Sequence, residues 1–279
     1  MAERLSCHSL VLTFDPHPST VLRPEAAIVP LTTIARRAEL IVAQGIHWVV
    51  ICQTNRQFLS LSAEEFFSQV VEQQLDARGV VEGPNFFYGR GRAGNVDLLR
   101  RLCNETGREC EIILPQTQTV SENPETASLV SSSRVRENIL AGDLATANRL
   151  LTAPYRLCGV VTTGDARGRL LGFPTANLTK IPVLLPGPGV YATRAFVDGR
   201  WRMSATHIGP NLTFGQNQPK VEVHVLDFSG NLYGQQLAVD FIARVRDIAK
   251  FSSADALRNQ LSKDLAVVRT LLEGLDKNP

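Results

Sequence analysis

The sequence predicts two domains of different class: an α/β domain with a parallel, doubly wound sheet, then an antiparallel β-barrel or sandwich closed by a helix. Three observations support this. The first half alternates strand and helix periods in a βαβα order, which favours parallel strands joined by crossover helices. The second half is a run of strand-like segments separated by short turn signals, the pattern of antiparallel pairing. The period changes between Leu151 and Leu157, so residues 1–152 form one domain and 153–279 the other. The second domain is expected to fold alone from about residue 153.

In the first half, Ser9–Phe14 is an apolar run that reads as a buried strand. Thr33–Gln44 has helical spacing at Ile34, Ala38, Ile41 and Val42, with Gly45 as a stop. Ile46–Cys52 is the next strand. Ser62-Ala63-Glu64-Glu65 is a capping box, with Phe66, Phe67, Val70 and Val71 on the helix behind it. Gly94–Gly107 reads as a helix and Cys110–Leu114 as a strand. Gln116–Ser128 is polar and reads as a loop. Ser132–Leu140 and Asp143–Leu151 are two short helices split at Gly142.

In the second half, Leu157–Thr163, Gly189–Val197, Trp201–Ile208, Val221–Phe228 and Gln236–Ala243 are strand-like. Gly164-Asp165, Pro186-Gly187-Pro188-Gly189, Asp198-Gly199 and Ser229-Gly230-Asn231 supply the turns. A last helix starts near Ser253 and places Leu257, Leu261, Leu265, Val268 and Leu272 on one face.

Bulk properties narrow the function. Hydrophobic residues are 44% and charged residues 20%, enough to build real cores. The net charge of +2 has no basic block behind it, so nucleic acid is not an expected partner. No apolar run approaches the roughly 18–20 residues of a membrane helix, and Met1–Ser6 carries no signal pattern. The five cysteines are scattered without a CxxC pair, as in a cytoplasmic protein with reduced thiols.

Two segments carry chemistry. In Gly164–Asn177, the close glycines Gly164, Gly168 and Gly172 permit a loop whose backbone amides approach an anion. Pro174 fixes the backbone before Thr175. Thr175 and Asn177 lie two apart, so in an extended segment both side chains face one way, and their oxygens are hard ligands suited to Mg²⁺ on phosphates. The same pattern also describes an ordinary Gly/Pro-rich hairpin. In Val221–Phe228, Glu222 stands mid-strand between valines, where a raised pKa would suit a general base. A solvent-facing glutamate on a half-exposed strand is the other reading. His224 is assigned no chemistry.

Together the runs "GVVTTGDARGRLLGFPTAN", "PGPGVYA", "HIGPNLTFG", "VEVHVLDFSGNLYGQQLAVDF" and "RVRDIAKFSS" resemble the riboflavin kinase module of bacterial riboflavin kinase/FAD synthetases, over about Tyr155 to Leu272. The resemblance implies a six-stranded antiparallel barrel with a C-terminal helix. It implies that Thr175 and Asn177 hold Mg–ATP, that Gly164–Gly172 covers the nucleotide, and that Glu222 activates the terminal ribityl hydroxyl of riboflavin to yield FMN. Arg246 and Phe251 are the candidates on the flavin side. The family usually reads N-P-T-F where this chain has Asn211-Leu212-Thr213-Phe214, a departure that removes no assigned ligand.

Residues 10–155 resemble the FAD synthetase half of the same enzymes, a nucleotidyltransferase that joins AMP to FMN. The matching runs are "LVLTFDPHPSTVLRP", "LTTIARRAELI", "LSAEEFF", "GPNFFYGRGRAGNVDLL" and "SSSRVRENILAGDLATANRLL". Ser131, Ser132, Ser133 and Arg136 would stand at a helix start facing a triphosphate, with Asn85 and the Arg90/Arg92 loop on the rim. The family's G-x-F-D-G-x-H-x-G-H segment is not matched, and on that ground the half reads as incomplete and the chain as a maker of FMN with little FAD. Readings kept open are the full bifunctional enzyme and a non-catalytic flavin- or nucleotide-binding module. Gly89–Gly94 satisfies G-x-G-x-x-G, but Asn85–Tyr88 before it is unlike the first strand of a dinucleotide fold, so NAD binding is rejected.

Overall fold

A computed structural model describes residues 1–119, 127–164, 167–210 and 220–273. The Asn211–Phe214 departure and Asp165 lie outside the described residues. Two compact units are present: residues 1–28 with 34–117, and residues 29–33 with 118–279.

The first unit opens with β1 (Leu10–Asp15), α1 (Pro18–Leu22), α2 (Ile34–Val42), β2 (Trp48–Gln53) and α3 (Arg56–Leu59). Then come α4 (Ala63–Phe66), β3 (Gly79–Glu82), α5 (Val96–Glu105) and β4 (Glu109–Ile112). The predicted capping box is present: the Ser62 hydroxyl accepts from the Glu65 amide, and the Glu65 carboxylate accepts from the Ser62 amide. The helix then widens into a π-wound stretch over Phe67–Gln74.

The strands pair in parallel, as the βαβα order predicts, but as two separate pairs. β1 lies on β2 from Leu10↔Trp48 to Asp15↔Gln53, and β3 on β4 from Gly79↔Glu109 to Glu82↔Ile112. A core of Phe67, Val71, Tyr88, Leu99 and Cys103 sits with α4 and α5. The β1–β2 pair is poorly covered: β2 buries none of its residues, and Trp48 is 60% exposed. Parallel strands are normally buried on both faces.

The second unit contains β5 (Thr117–Thr119), which begins at the unit boundary and pairs with β6 (Ala127–Leu129), then α6 (Ser132–Ala141) and α7 (Leu144–Leu150). It continues with β7 (Tyr155–Thr162), α8 (Arg167–Leu170), β8 (Ala176–Thr179), β9 (Gly189–Val197), β10 (Arg200–Gly209), β11 (Lys220–Val225), β12 (Gln236–Arg246) and α9 (Ala254–Glu273). The last six strands close a barrel in the order β10-β11-β8-β7-β12-β9, every pair antiparallel. Alternate residues fill the interior, among them Leu157, Tyr191, Ala195, Val223, Val239 and Phe241.

α9 covers part of the outer wall, with Val268 and Leu272 against Ala192 and Leu226. The same helix buries Asp264, which receives a forked pair of hydrogen bonds from Arg246 on β12.

Packing divides the chain earlier than the change of period does. α6 and α7, read with the first half, bury Val135, Ile139, Leu144, Ala147 and Leu150 in the barrel's own apolar cluster. Asn148 ties α7 down: its amide nitrogen donates to the Phe241 carbonyl and its oxygen accepts from the Tyr155 amide. Gly142 ends α6 in the left-handed conformation, φ 78°, where a side chain would also run into Arg244 and Tyr191.

Candidate active site

The segment between β7 and β8 is shaped by close approach. A side chain at Gly164 would overlap the Asn177 amide, and one at Gly168 would overlap the Phe173 carbonyl and crowd the Thr175 hydroxyl. Gly172 has φ 89°, a conformation that glycine adopts without strain. Thr175 and Asn177 therefore both lie against this glycine-rich segment. Pro174 marks the approach to β8, and its carbonyl accepts a 2.8 Å hydrogen bond from the His224 ring, which also stacks edge-on against Phe173. His224 thus has a structural task, pinning the start of β8 to β11.

Beside this segment is a cavity of about 510 Å³. Val161, Ala176, Val223, Val225 and Phe228 form its apolar wall. Thr175, Arg169, Ser229, Asn231 and Tyr233 add polar groups. An apolar wall beside a hydroxyl and a cation suits a base joined to phosphates.

Glu222 stands on the outer face of the barrel wall, in a row set by strand register. His207 on β10 faces Glu222 on β11, Glu222 faces Asn177 on β8, and Asn177 faces Thr162 on β7. Directly opposed side chains in such pairs have Cβ atoms about 5 Å apart. The Glu222 side chain is 18% exposed, so the solvent-facing reading does not hold. Asn177 joins the two parts, touching the glycine-rich segment and opposing the carboxylate.

The two flavin-side candidates meet each other: the Arg246 guanidinium lies 5.5 Å from the Phe251 ring centre. Arg246 is also held by Asp264 and donates to the Asp247 carbonyl. Its charge bears on His207, whose pKa is pushed down from 6.5 to about 4, first by burial and then by Arg246. Sequence reasoning quoted His207 within its motif without giving it a role. No linear pattern shows which residue on one strand faces which on the next.

For the first half, the structure caps α6 with Ser131, whose hydroxyl accepts from the Arg134 amide, so Ser132 and Ser133 fall in the opening turn. Arg136 donates to the Val29 carbonyl. Asn85 is exposed in a turn of the first unit, and Arg92 stacks over Phe87 at 4.8 Å. The G-x-G-x-x-G match lies in a short 3₁₀ turn over Arg90–Arg92, with Gly89 and Gly91 at positive φ. Among the described residues, no cluster of three or more His, Cys, Asp or Glu side chains is placed to hold a metal.

Comparison with known proteins matches both halves. The riboflavin kinase family model matches residues 151–272, and the FAD synthetase family model matches residues 1–128. The second match gives no support to reading the first half as a truncated domain of doubtful activity. The bifunctional riboflavin kinase/FMN adenylyltransferase of Pseudomonas fluorescens is 33% identical over 271 residues, covering 97% of this chain and 85% of that protein. Its counterpart in Listeria monocytogenes is 33% identical over 279 residues, covering 99% and 86%. A crystal structure from Streptococcus pneumoniae described as a macrolide-efflux protein superposes with a TM-score of 0.83 at 29% identity, over 96% of this chain and 85% of that one. No described helix here is long and apolar enough to cross a membrane.

Proposed function

We propose that this chain, which belongs to the bifunctional riboflavin kinase/FMN adenylyltransferase family, phosphorylates riboflavin in its barrel and adenylylates the resulting FMN with its first half. The observation that carries the kinase reading is the row that sets Glu222 beside Asn177, with Thr175 and the glycine-rich segment next to it. Phosphoryl transfer to an alcohol needs a base at the attacking hydroxyl and neutralising groups around the phosphates. Glu222 takes the proton from the terminal ribityl hydroxyl as that oxygen attacks the γ-phosphorus of ATP, and ADP leaves. The cavity holds the nucleotide base, and the backbone amides of Gly168 and Gly172 would face the phosphates.

Thr175 and Asn177 would hold Mg²⁺, which supplies charge neutralisation on the phosphates when bound. A hydroxyl and an amide oxygen fit that ion, which binds few protein oxygens and keeps phosphate and water for the rest. Arg246 and Phe251 would frame the flavin side, on the far side of Glu222 from Asn177. For adenylylation, Ser131–Ser133 and Arg136 would face the triphosphate.

The test is direct. The purified chain is incubated with riboflavin and Mg–ATP, and FMN and FAD are separated by chromatography. Both products are expected. FMN without FAD would remove the adenylylation half of the proposal, and neither product would leave a binding module, a reading against which Glu222 now argues, since binding alone needs no base.

A further inference from the structure

We infer that His207 is a positioning residue for Glu222: an imidazole that donates a hydrogen bond from Nδ1 to one carboxylate oxygen while the other accepts the substrate proton. The inference rests on the reading of Glu222 as the base.

The two residues are direct cross-strand partners, and His207 Nδ1 lies 3.7 Å from Glu222 Oε2. That is one small side-chain rotation from hydrogen-bond range. The Nδ1 atom is buried and has no hydrogen-bond partner among the described residues, which is costly unless a partner is reached during function. Glu222 is the acceptor at hand.

The charged groups facing His207 among the described residues are Glu222 from β11 and Arg246 from β12, the latter paired with Asp264 of α9. Burial and Arg246 hold the ring neutral at ordinary pH, so the contact is a hydrogen bond and not an ion pair. A bare Nδ1 lone pair would repel an ionised carboxylate, so the tautomer carrying its proton on Nδ1 is the one that fits. Donation to the carboxylate holds its orientation, so that the same oxygen is presented to the substrate hydroxyl. Asn177 flanks Glu222 on the opposite side, so the carboxylate is bracketed along the row.

The experiment uses the full chain and four variants, His207→Ala, His207→Phe, His207→Asn and Glu222→Gln. It measures kcat and KM for FMN formation, together with thermal midpoints. Loss of a hydrogen bond to a charged group should lower kcat about tenfold in the Ala and Phe variants, with KM for riboflavin little changed. Asn, whose amide can place an N–H near Nδ1, should restore most of kcat. Equal losses in all three His207 variants, or losses that only follow the thermal midpoint, would overturn the inference. If Glu222→Gln stays active, the reading of the base itself is wrong, whereas an inactive Glu222→Gln beside unaffected His207 variants removes only the role of His207.

Discussion

At the level of single residues, three side chains carry most of the consequence. Glu222→Gln should lower FMN formation by about 10²–10⁴, the usual cost of losing a general base, with nucleotide affinity retained by calorimetry. Near-native turnover would remove Glu222 from its role. Arg246, proposed for the flavin side, also neutralises Asp264, which is 3% exposed. Arg246→Ala leaves that carboxylate with Gln260 as a polar neighbour, and breaking a buried pair this way should cost about 3 kcal/mol in urea unfolding. His207 gives stability a pH dependence. Its pKa falls from 6.5 to about 4 on folding, so the unfolded chain takes up the proton first as pH drops. Its contribution is intact above 6.5 and drains away as pH falls from 6.5 towards 4. Urea midpoints measured near pH 7 and near pH 5 should differ more for the native chain than for His207→Asn.

At the level of elements, the glycine-rich segment is built by contact with β8. Gly164→Ala pushes a methyl group into the Asn177 amide, so it should raise KM for Mg–ATP while the thermal midpoint stays within a few degrees; an unchanged KM would detach this segment from the nucleotide. Much of this level was legible beforehand. β9 lies where the alternation put it, at Gly189–Val197, and α9 starts at Ala254 behind a Ser253 hydroxyl that accepts from the Ala256 amide. β3 and β8 were not legible as strands by period, because segments as short as Gly79–Glu82 and Ala176–Thr179 hold too few residues to show one. Asp264 escaped because it interrupts an otherwise apolar stripe, and its partner Arg246 is on another element. Thr175, Asn177 and Glu222 were proposed from local chemistry and family resemblance, whereas the pairing of His207 with Glu222 needed the register between β10 and β11.

At the level of the whole molecule, the two units differ in how well they are closed. The barrel has no free edge, while β1 and β2 leave apolar surface in view. The first unit should therefore unfold at lower denaturant, and hydrogen exchange should be faster in β1 and β2 than in β9 and β12. A single shared transition would contradict this. A fragment from about residue 127 should also be more stable than one from about 153, because only the longer one keeps α6 and α7 on the barrel. Closure has a further effect on the row that runs from His207 through Glu222 and Asn177 to Thr162. In a ring of strands, each register depends on all the others. One residue inserted within β11 would turn Glu222 inward and its valine neighbours outward. Two would restore the face but displace the carboxylate along the wall by about 7 Å, beyond reach of both flanking side chains. A one-residue change of length within β8, β10 or β11 therefore dismantles the row, whereas a change of length in the turns leaves it in place.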